Sequence, residues 1–208
     1  DRILTISVVL ITSLIIYLIT RDFFLDFAAT NKIIAGFIKF FVLATIGDFV
    51  GIRFKSGMWK KPKNVLYKAF VWGFIGIVIV LIFDIFFSGV ASLQDSNILP
   101  FKESALATAF FVSVLMNVTF APTMMAFHRV TDTYLDLKAD GKSIRFKEVV
   151  GRIDFQQFFN VVVLKTIPFF WIPAHTITFI LPVEYRVIFA AILGIFLGLI
   201  LGITSTKK

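Results

Sequence analysis

Apolar residues occur along this chain in blocks, each about as long as a membrane-spanning helix, and short polar stretches separate them. A helix needs about 20 apolar residues to cross the hydrocarbon of a bilayer. The pattern predicts six such spans, which cover approximately residues 3–20, 33–53, 68–93, 104–127, 155–182 and 185–204. The predicted fold is an all-α integral membrane protein, a bundle of about six transmembrane helices.

The first apolar block could be read either as a signal peptide or as a retained span. It is longer than the apolar core of a typical signal peptide. Thr20, Arg21 and Asp22 follow it without a small-residue cleavage pattern. We interpret it as a retained span.

Composition agrees with lipid as the solvent. Of the 208 residues, 58% are hydrophobic and 16% are charged, and the mean hydropathy is +0.91. Average soluble domains are roughly 45–50% apolar. A soluble fold of this size would need more charge to cover its surface.

The distribution of positive charge predicts the topology. With the amino terminus inside, 15 of the 21 lysines and arginines lie on the cytoplasmic side, four lie outside, and Lys39 and Lys165 fall within spans. Basic residues favour the cytoplasmic side. We therefore predict a single polytopic domain over residues 1–208 with both termini cytoplasmic. The net charge of +8 indicates contact with anionic lipids at the cytoplasmic face rather than with nucleic acid.

Residues 128–154 form the longest predicted cytoplasmic loop, and Asp140 and Gly141 mark a turn within it. The loop could be two helical extensions. Its apolar residues Ile144, Phe146 and Val149 could lie on the membrane surface, or the loop could be a solvated connector.

Few groups suit metal, cofactor or catalytic chemistry. The chain has no cysteine and two histidines, His128 and His175, without metal-ligand spacing. No phosphate loop and no recognisable pair of nucleophile and base is present. We expect no metal, no cofactor and no enzymatic activity.

Ionisable groups inside the spans are functional candidates, because burying each costs on the order of 3 kcal/mol. The candidates for a polar interior are Lys39, Asp48, Asp84, Lys165 and His175. Lys39 and Asp48 lie on opposite faces of one helix. Depth suggests two pairs instead, Lys39 with Asp84 and Asp48 with Lys165. These groups could form structural ion pairs, line a solute path or extend towards the interface without a partner.

Spans four and five carry further polar and helix-breaking residues. Ser113, Asn117 and Ala121 form a small, polar stripe that should face protein or water, and Pro122 follows it. Pro168 and Pro173 predict a kinked or broken fifth helix, with Thr166, Thr176 and Thr178 near enough to bond freed carbonyls. Broken helices in membranes often line binding sites, which favours a function for His175, the alternative being a satisfied interior histidine. The stripe adds Asn117 to the candidates, although packing alone would also explain it.

Span six contains a glycine repeat at Gly194, Gly198 and Gly202. This spacing leaves one helix face without side chains, so that another backbone can approach closely. The partner could be another helix of the chain or a second copy in a homo-oligomer.

Four segments resemble landmarks of one membrane-protein family. FFWIPAHTITFILPVEYR from Phe169 to Arg186 has Trp171, Pro173, Phe179, Pro182 and Arg186 in a matching pattern. Gly47 with Asp48, the GFIG of residues 73–76 and the NVTFAP that ends at Pro122 follow the same family order. The chain is similar to the Mpv-seventeen and peroxisomal membrane protein family and looks like a bacterial or archaeal relative.

The resemblance implies a small helical membrane protein for which pore or solute-flux activity has been proposed, with no agreed solute. It implies a prokaryotic cytoplasmic membrane as the location. As landmark positions, the resemblance singles out five candidates for a functional role: Asp48, Asn117, Trp171, His175 and Arg186.

Two functional hypotheses follow from these features. The leading hypothesis is a channel or transporter-like protein that passes small solutes or ions through a polar interior. The alternative is a non-transporting protein that organises the membrane or binds lipids or partners through its basic cytoplasmic loops.

Overall fold

The structure is a computed structural model that describes the backbone of residues 2–142 and 144–205, and the side chains of these residues except 2–3, 19, 55 and 197–205. All regular structure in this part of the chain is helical. The α-helices are α1 Arg2–Ile19, α2 Asp22–Thr30, α3 Lys32–Ser56, α4 Val65–Asp95, α5 Ala105–Thr119, α6 Ala121–Ala139, α7 Phe146–Gly151, α8 Phe155–Gln157, α9 Ile172–Ile180 and α10 Val183–Ser205, and a π-helix covers Phe158–Trp171.

The all-helical prediction is confirmed for the described residues, whereas six spans are not. Three helical stretches are long and apolar enough to cross a membrane: Lys32–Phe54, Val65–Asp95 and Phe155–Ile180. The number rises to five if two bent helix pairs each count as one span. Much of the predicted sixth span lies among the residues whose side chains are not described.

The bent pairs change two of the predicted spans. The first bent pair joins α1 to α2 at 61°, so the first predicted span would extend into α2 if the pair is one span. The fourth span is divided at Phe120 into α5 and α6, which meet at 45°. Pro122 lies in the first turn of α6. Because proline has no backbone N–H and suits a first helical turn, it favours the start of a new helix here.

The prolines of the fifth span have a different effect. Phe155–Ile180 continues as one helical stretch of 26 residues, and the disturbance takes the form of a π-helix around Pro168. The amide of Ile172 donates to the carbonyl of Ile167, five residues back. The Thr166 hydroxyl similarly bonds the Val161 carbonyl at 3.0 Å. Pro168 thus coincides with a change of hydrogen-bond register rather than with separated helices.

Contacts divide the chain into two compact units, Asp1–Ile77 with Val187–Lys208, and Val78–Arg186. The first unit contains a close approach of α3 to α4. A Cβ added at Gly76 would overlap the Gly36 carbonyl oxygen, and one added at Gly73 would overlap the Phe37 ring. The missing side chains therefore allow the two helices to pack backbone to backbone.

The second unit is built around the packing of α5 against α9. Ser104 caps α5, because its hydroxyl accepts the Ala107 amide at 3.2 Å. Near the start of α5, the Gln94 side chain accepts the Thr108 hydroxyl at 2.8 Å and donates to the Pro100 carbonyl at 3.1 Å. These bonds fix the connection between α4 and α5.

The glycine repeat of α10 is only partly described. A Cβ added at Gly194 would meet no atom within 4 Å, so Gly194 makes no close helix contact within the described part of the chain. Gly198 and Gly202 lie outside the residues whose side chains are described. The neighbouring residue Ile195 does make a close helix contact, because it packs against Gly47 of α3.

Candidate functional site

A buried polar cluster lies between α5 and α9 in the second unit. Ser113 and Asn117 are both 0% exposed, and their spacing of four residues places them on one face of α5. The Ser113 hydroxyl donates to the Ile172 carbonyl at 2.7 Å. Asn117 donates through Nδ2 to the Ser113 carbonyl at 2.9 Å. Ala121 at the start of α6 is also buried, so all three residues of the stripe are covered by protein.

Asn117 also forms a hydrogen bond with His175, which lies about one turn after the start of α9. The His175 Nδ1 atom lies 3.0 Å from Asn117 Nδ2 and 3.2 Å from Asn117 Oδ1. Either a neutral imidazole that accepts or one that donates can satisfy this contact, because the amide offers both groups. The structure thus brings together two residues that the sequence placed in the candidate interior.

Aromatic rings enclose His175 on two sides. The Trp171 ring stacks on the imidazole with the centroids 5.1 Å apart and the planes at 20°. Phe83 contacts it edge to face at 6.0 Å. The Trp171 Nε1 atom is buried and has no hydrogen-bond partner in the described part of the chain. A buried donor without a partner costs about 1–3 kcal/mol, which makes this indole an unusual feature of the cluster.

The ring contacts continue from the cluster to Arg186. Phe83 lies 4.8 Å from Phe179, and the Arg186 guanidinium lies 5.8 Å from the Phe179 ring and 4.4 Å from the Phe87 ring. Its Nε atom donates to the Leu181 carbonyl at 3.0 Å. Cation–π contacts and this bond stabilise the charge at the end of α9. Pro173 lies in the first turn of α9, and Pro182 separates α9 from α10.

Lys39 and Asp84 belong to different units, so their pairing stays a prediction, and each has a neighbour within its own unit. Lys39 is 4% exposed, and its ammonium lies 5.7 Å from the centroid of the Phe24 ring. Asp84 is exposed on α4, and its charge acts on Arg186. Sequence reasoning had no means of finding Phe24, because its meeting with Lys39 depends on how α2 folds back on α3.

Asp48 and Lys165 belong to different units, so their coupling stays a prediction. In the first unit the Asp48 carboxylate accepts the Trp72 Nε1–H at 3.3 Å. This partner was missed, since nothing in the sequence distinguishes Trp72 from other apolar residues of α4. In the second unit Lys165 is exposed on the π-helix.

These observations define a class. The part of the chain that the structure describes is all-helical, has three helices suited to cross a membrane or up to five if the bent pairs are counted, and holds a buried polar cluster between two helices. Comparison of the chain with protein-family models, with curated proteins and with solved structures finds no match.

Proposed function

We propose that this chain is a membrane protein that passes small polar solutes, and that the Asn117–His175 pair contributes to the path. The observation that carries the proposal is the buried pair beside an indole N–H without a partner. A polar group in a lipid-facing bundle is costly unless it is bonded. Structural packing alone would favour apolar side chains at these positions.

The chemistry of the cluster favours an uncharged solute over an ion. Within the described residues, the hydrogen bonds of Ser113, Asn117 and His175 go to hydroxyl, amide, imidazole and carbonyl groups, and none goes to a charged side chain. An ion placed among such groups would lose its hydration without gaining an opposite charge. Asp48, Lys165, Lys39 and Asp84 remain candidates for other parts of the path.

A flux assay tests this proposal. Liposomes that contain the folded, oriented protein should take up glycerol faster than protein-free liposomes, without a matching rise in K⁺ flux. His175→Phe keeps a ring against Trp171 but removes the polar atoms, and should lower glycerol flux about tenfold, as expected for one lost interaction of about 1.4 kcal/mol. His128→Phe is the matched control on α6. Wild-type flux equal to that of empty liposomes would reject the proposal.

We also propose that the chain is a prokaryotic relative of the Mpv-seventeen and peroxisomal membrane protein family, in a cytoplasmic membrane with both termini inside. The supporting observation is that Trp171 and Arg186, two of its landmark-like residues, belong to one continuous set of ring contacts with His175. Reporter labelling, described in the Discussion, tests the orientation. No catalytic activity is part of the proposal.

A second candidate function is the binding of anionic lipid by the basic loops. No acidic residue occurs between Asp48 and Asp84, and Lys60, Lys61 and Lys63 are exposed in the connection between α3 and α4. Such clusters attract anionic membrane surfaces, and the attraction falls with salt. Lipid selectivity of the purified protein, measured with anionic and zwitterionic lipids at two salt concentrations, tests this function. Salt-independent, equal binding of both lipids would contradict it.

A further inference from the structure

A cavity of about 300 Å³ lies in the second unit, where the chain turns from α6 to α7. Its lining residues are Leu137, Lys142, Glu148, Gly151 and Arg152. The turn is fixed by Gly141, whose φ of +64° is accessible to glycine at low cost. The amide of Lys142 donates to the Leu137 carbonyl at 3.0 Å and closes the end of α6. This volume is at the lower end of those of small-ligand sites.

The charges around the cavity favour an anion. The Glu148 carboxylate is already held by Arg145, with Nε at 3.0 Å and a terminal nitrogen at 2.6 Å. Arg152 is exposed, and its guanidinium makes no side-chain hydrogen bond or ion pair within the described part of the chain. Lys142 is ion-paired with Asp140, with its Nζ atom 3.6 Å from a carboxylate oxygen. The uncompensated charge at the cavity is therefore that of Arg152, because the single lining carboxylate, Glu148, is held by Arg145.

The same turn exposes apolar side chains next to a candidate membrane span. Phe146 is 74% exposed and Ile144 is 41% exposed. The candidate span Phe155–Ile180 begins three residues after Arg152, so the cavity lies close to the end of a helix that is suited to enter a bilayer. Exposed apolar residues among basic ones are typical of segments that lie in the lipid headgroup region.

From this arrangement we infer that the cavity binds the headgroup phosphate of an anionic phospholipid. Arg152 and Lys142 donate to the phosphate oxygens, since guanidinium groups match phosphate geometry with paired hydrogen bonds. Phe146 and Ile144 lie against the glycerol and upper acyl region of the lipid. This inference rests on the second proposed function, for which it names a specific site, and is independent of solute passage.

The test uses the purified full chain in a neutral detergent. The midpoint of thermal unfolding is measured during titration with short-chain phosphatidylglycerol, short-chain phosphatidylcholine or inorganic phosphate. We expect phosphatidylglycerol to stabilise the protein at lower concentration than the other two. Arg152→Gln should raise the apparent Kd for phosphatidylglycerol about tenfold, as expected for loss of a charge-assisted contact.

Lys147→Gln is the matched control, because Lys147 is an exposed lysine of α7 that does not line the cavity. It removes the same charge and should leave the apparent Kd within about twofold, a difference of about 0.4 kcal/mol. Equal weakening by Arg152→Gln and Lys147→Gln would show general electrostatic attraction and overturn the assigned site. If inorganic phosphate stabilises the protein as well as phosphatidylglycerol does, the cavity binds free phosphate and the lipid headgroup is rejected as its ligand.

A third variant keeps the inference testable if Arg152→Gln does not fold. A Cβ added at Gly151 would meet no atom within 4 Å, so Gly151→Leu should fill the cavity without changing charge. It should weaken phosphatidylglycerol binding as strongly as Arg152→Gln, and unchanged binding would overturn the inference. If the cavity variants have no effect while the preference for anionic lipid persists, the specific site is wrong and the second proposed function stands.

Discussion

The Trp171 indole stacks on the His175 imidazole at 5.1 Å, while its own Nε1–H is buried without a partner in the described part of the chain. The stack therefore combines a favourable ring contact with an unfavourable buried donor. Comparison of Trp171 with Trp72, whose Nε1–H donates to Asp48, separates the two contributions.

Trp171→Phe should leave the protein equally stable or more stable by about 1 kcal/mol, because it removes an unsatisfied donor and keeps an aromatic ring. Trp72→Phe should destabilise by about 1–3 kcal/mol, since the Asp48 carboxylate loses a bond. The unfolding midpoints of both variants in detergent provide the comparison. A loss for Trp171→Phe as large as that for Trp72→Phe would mean that the Trp171 N–H has a partner.

The Ile172 carbonyl accepts two hydroxyl groups, from Ser113 at 2.7 Å and from Thr176 at 2.8 Å. Because either donor can satisfy this oxygen, Ser113→Ala and Thr176→Val should each cost about 1 kcal/mol or less. The double variant should cost more than their sum, since it removes both hydroxyl donors and neither can then compensate for the other. Strict additivity in the double-mutant cycle would show that the hydroxyls act independently.

Gly76→Ala should destabilise the protein by about 1–3 kcal/mol or more, because the new methyl would overlap the Gly36 carbonyl and the Phe40 Cβ. Gly51→Ala is the matched control. A Cβ at Gly51 meets nothing within 4 Å, and alanine favours helix by up to about 1 kcal/mol. Similar unfolding midpoints for the two variants would argue against backbone contact between α3 and α4.

The predicted coupling of Asp48 with Lys165 in the membrane interior can be tested with a double-mutant cycle. If they are coupled, directly or through water, Asp48→Asn should destabilise the protein or alter its flux, and adding Lys165→Met should cost less than the sum of the single changes. The double-mutant cycle measures this in both stability and liposome flux. Additive effects would reject the coupling.

The charge pattern makes a definite prediction of orientation. Single reporter cysteines at Ser56 and Ala139 should be labelled from the cytoplasmic side, and one at Ser96 from the opposite side. All three positions are exposed at or near helix ends, so an impermeant thiol reagent can reach them. Labelling of Ser56 and Ala139 from opposite sides would contradict the predicted topology.

The sequence predicted the parts of the candidate site that depend on one helix. Ser113 and Asn117 share a face of α5 because they are four residues apart, and both are buried. The sequence also indicated a disturbance at Pro168, since proline removes a backbone donor. It did not predict that the disturbance would be a π-helix of 14 residues, or that the fourth span would bend by 45° at Phe120.

Hydrophobic length is a local property, and it alone determines that this chain forms helices long and apolar enough to cross a bilayer. The choice of partner is not local. Asn117 meets His175 across 58 residues of sequence, Asp48 meets Trp72, and Lys39 lies over Phe24. Each meeting depends on the axial register and rotation of two packed helices. Side-chain packing across the whole interface sets that register, so only the tertiary structure decided which polar groups share a site.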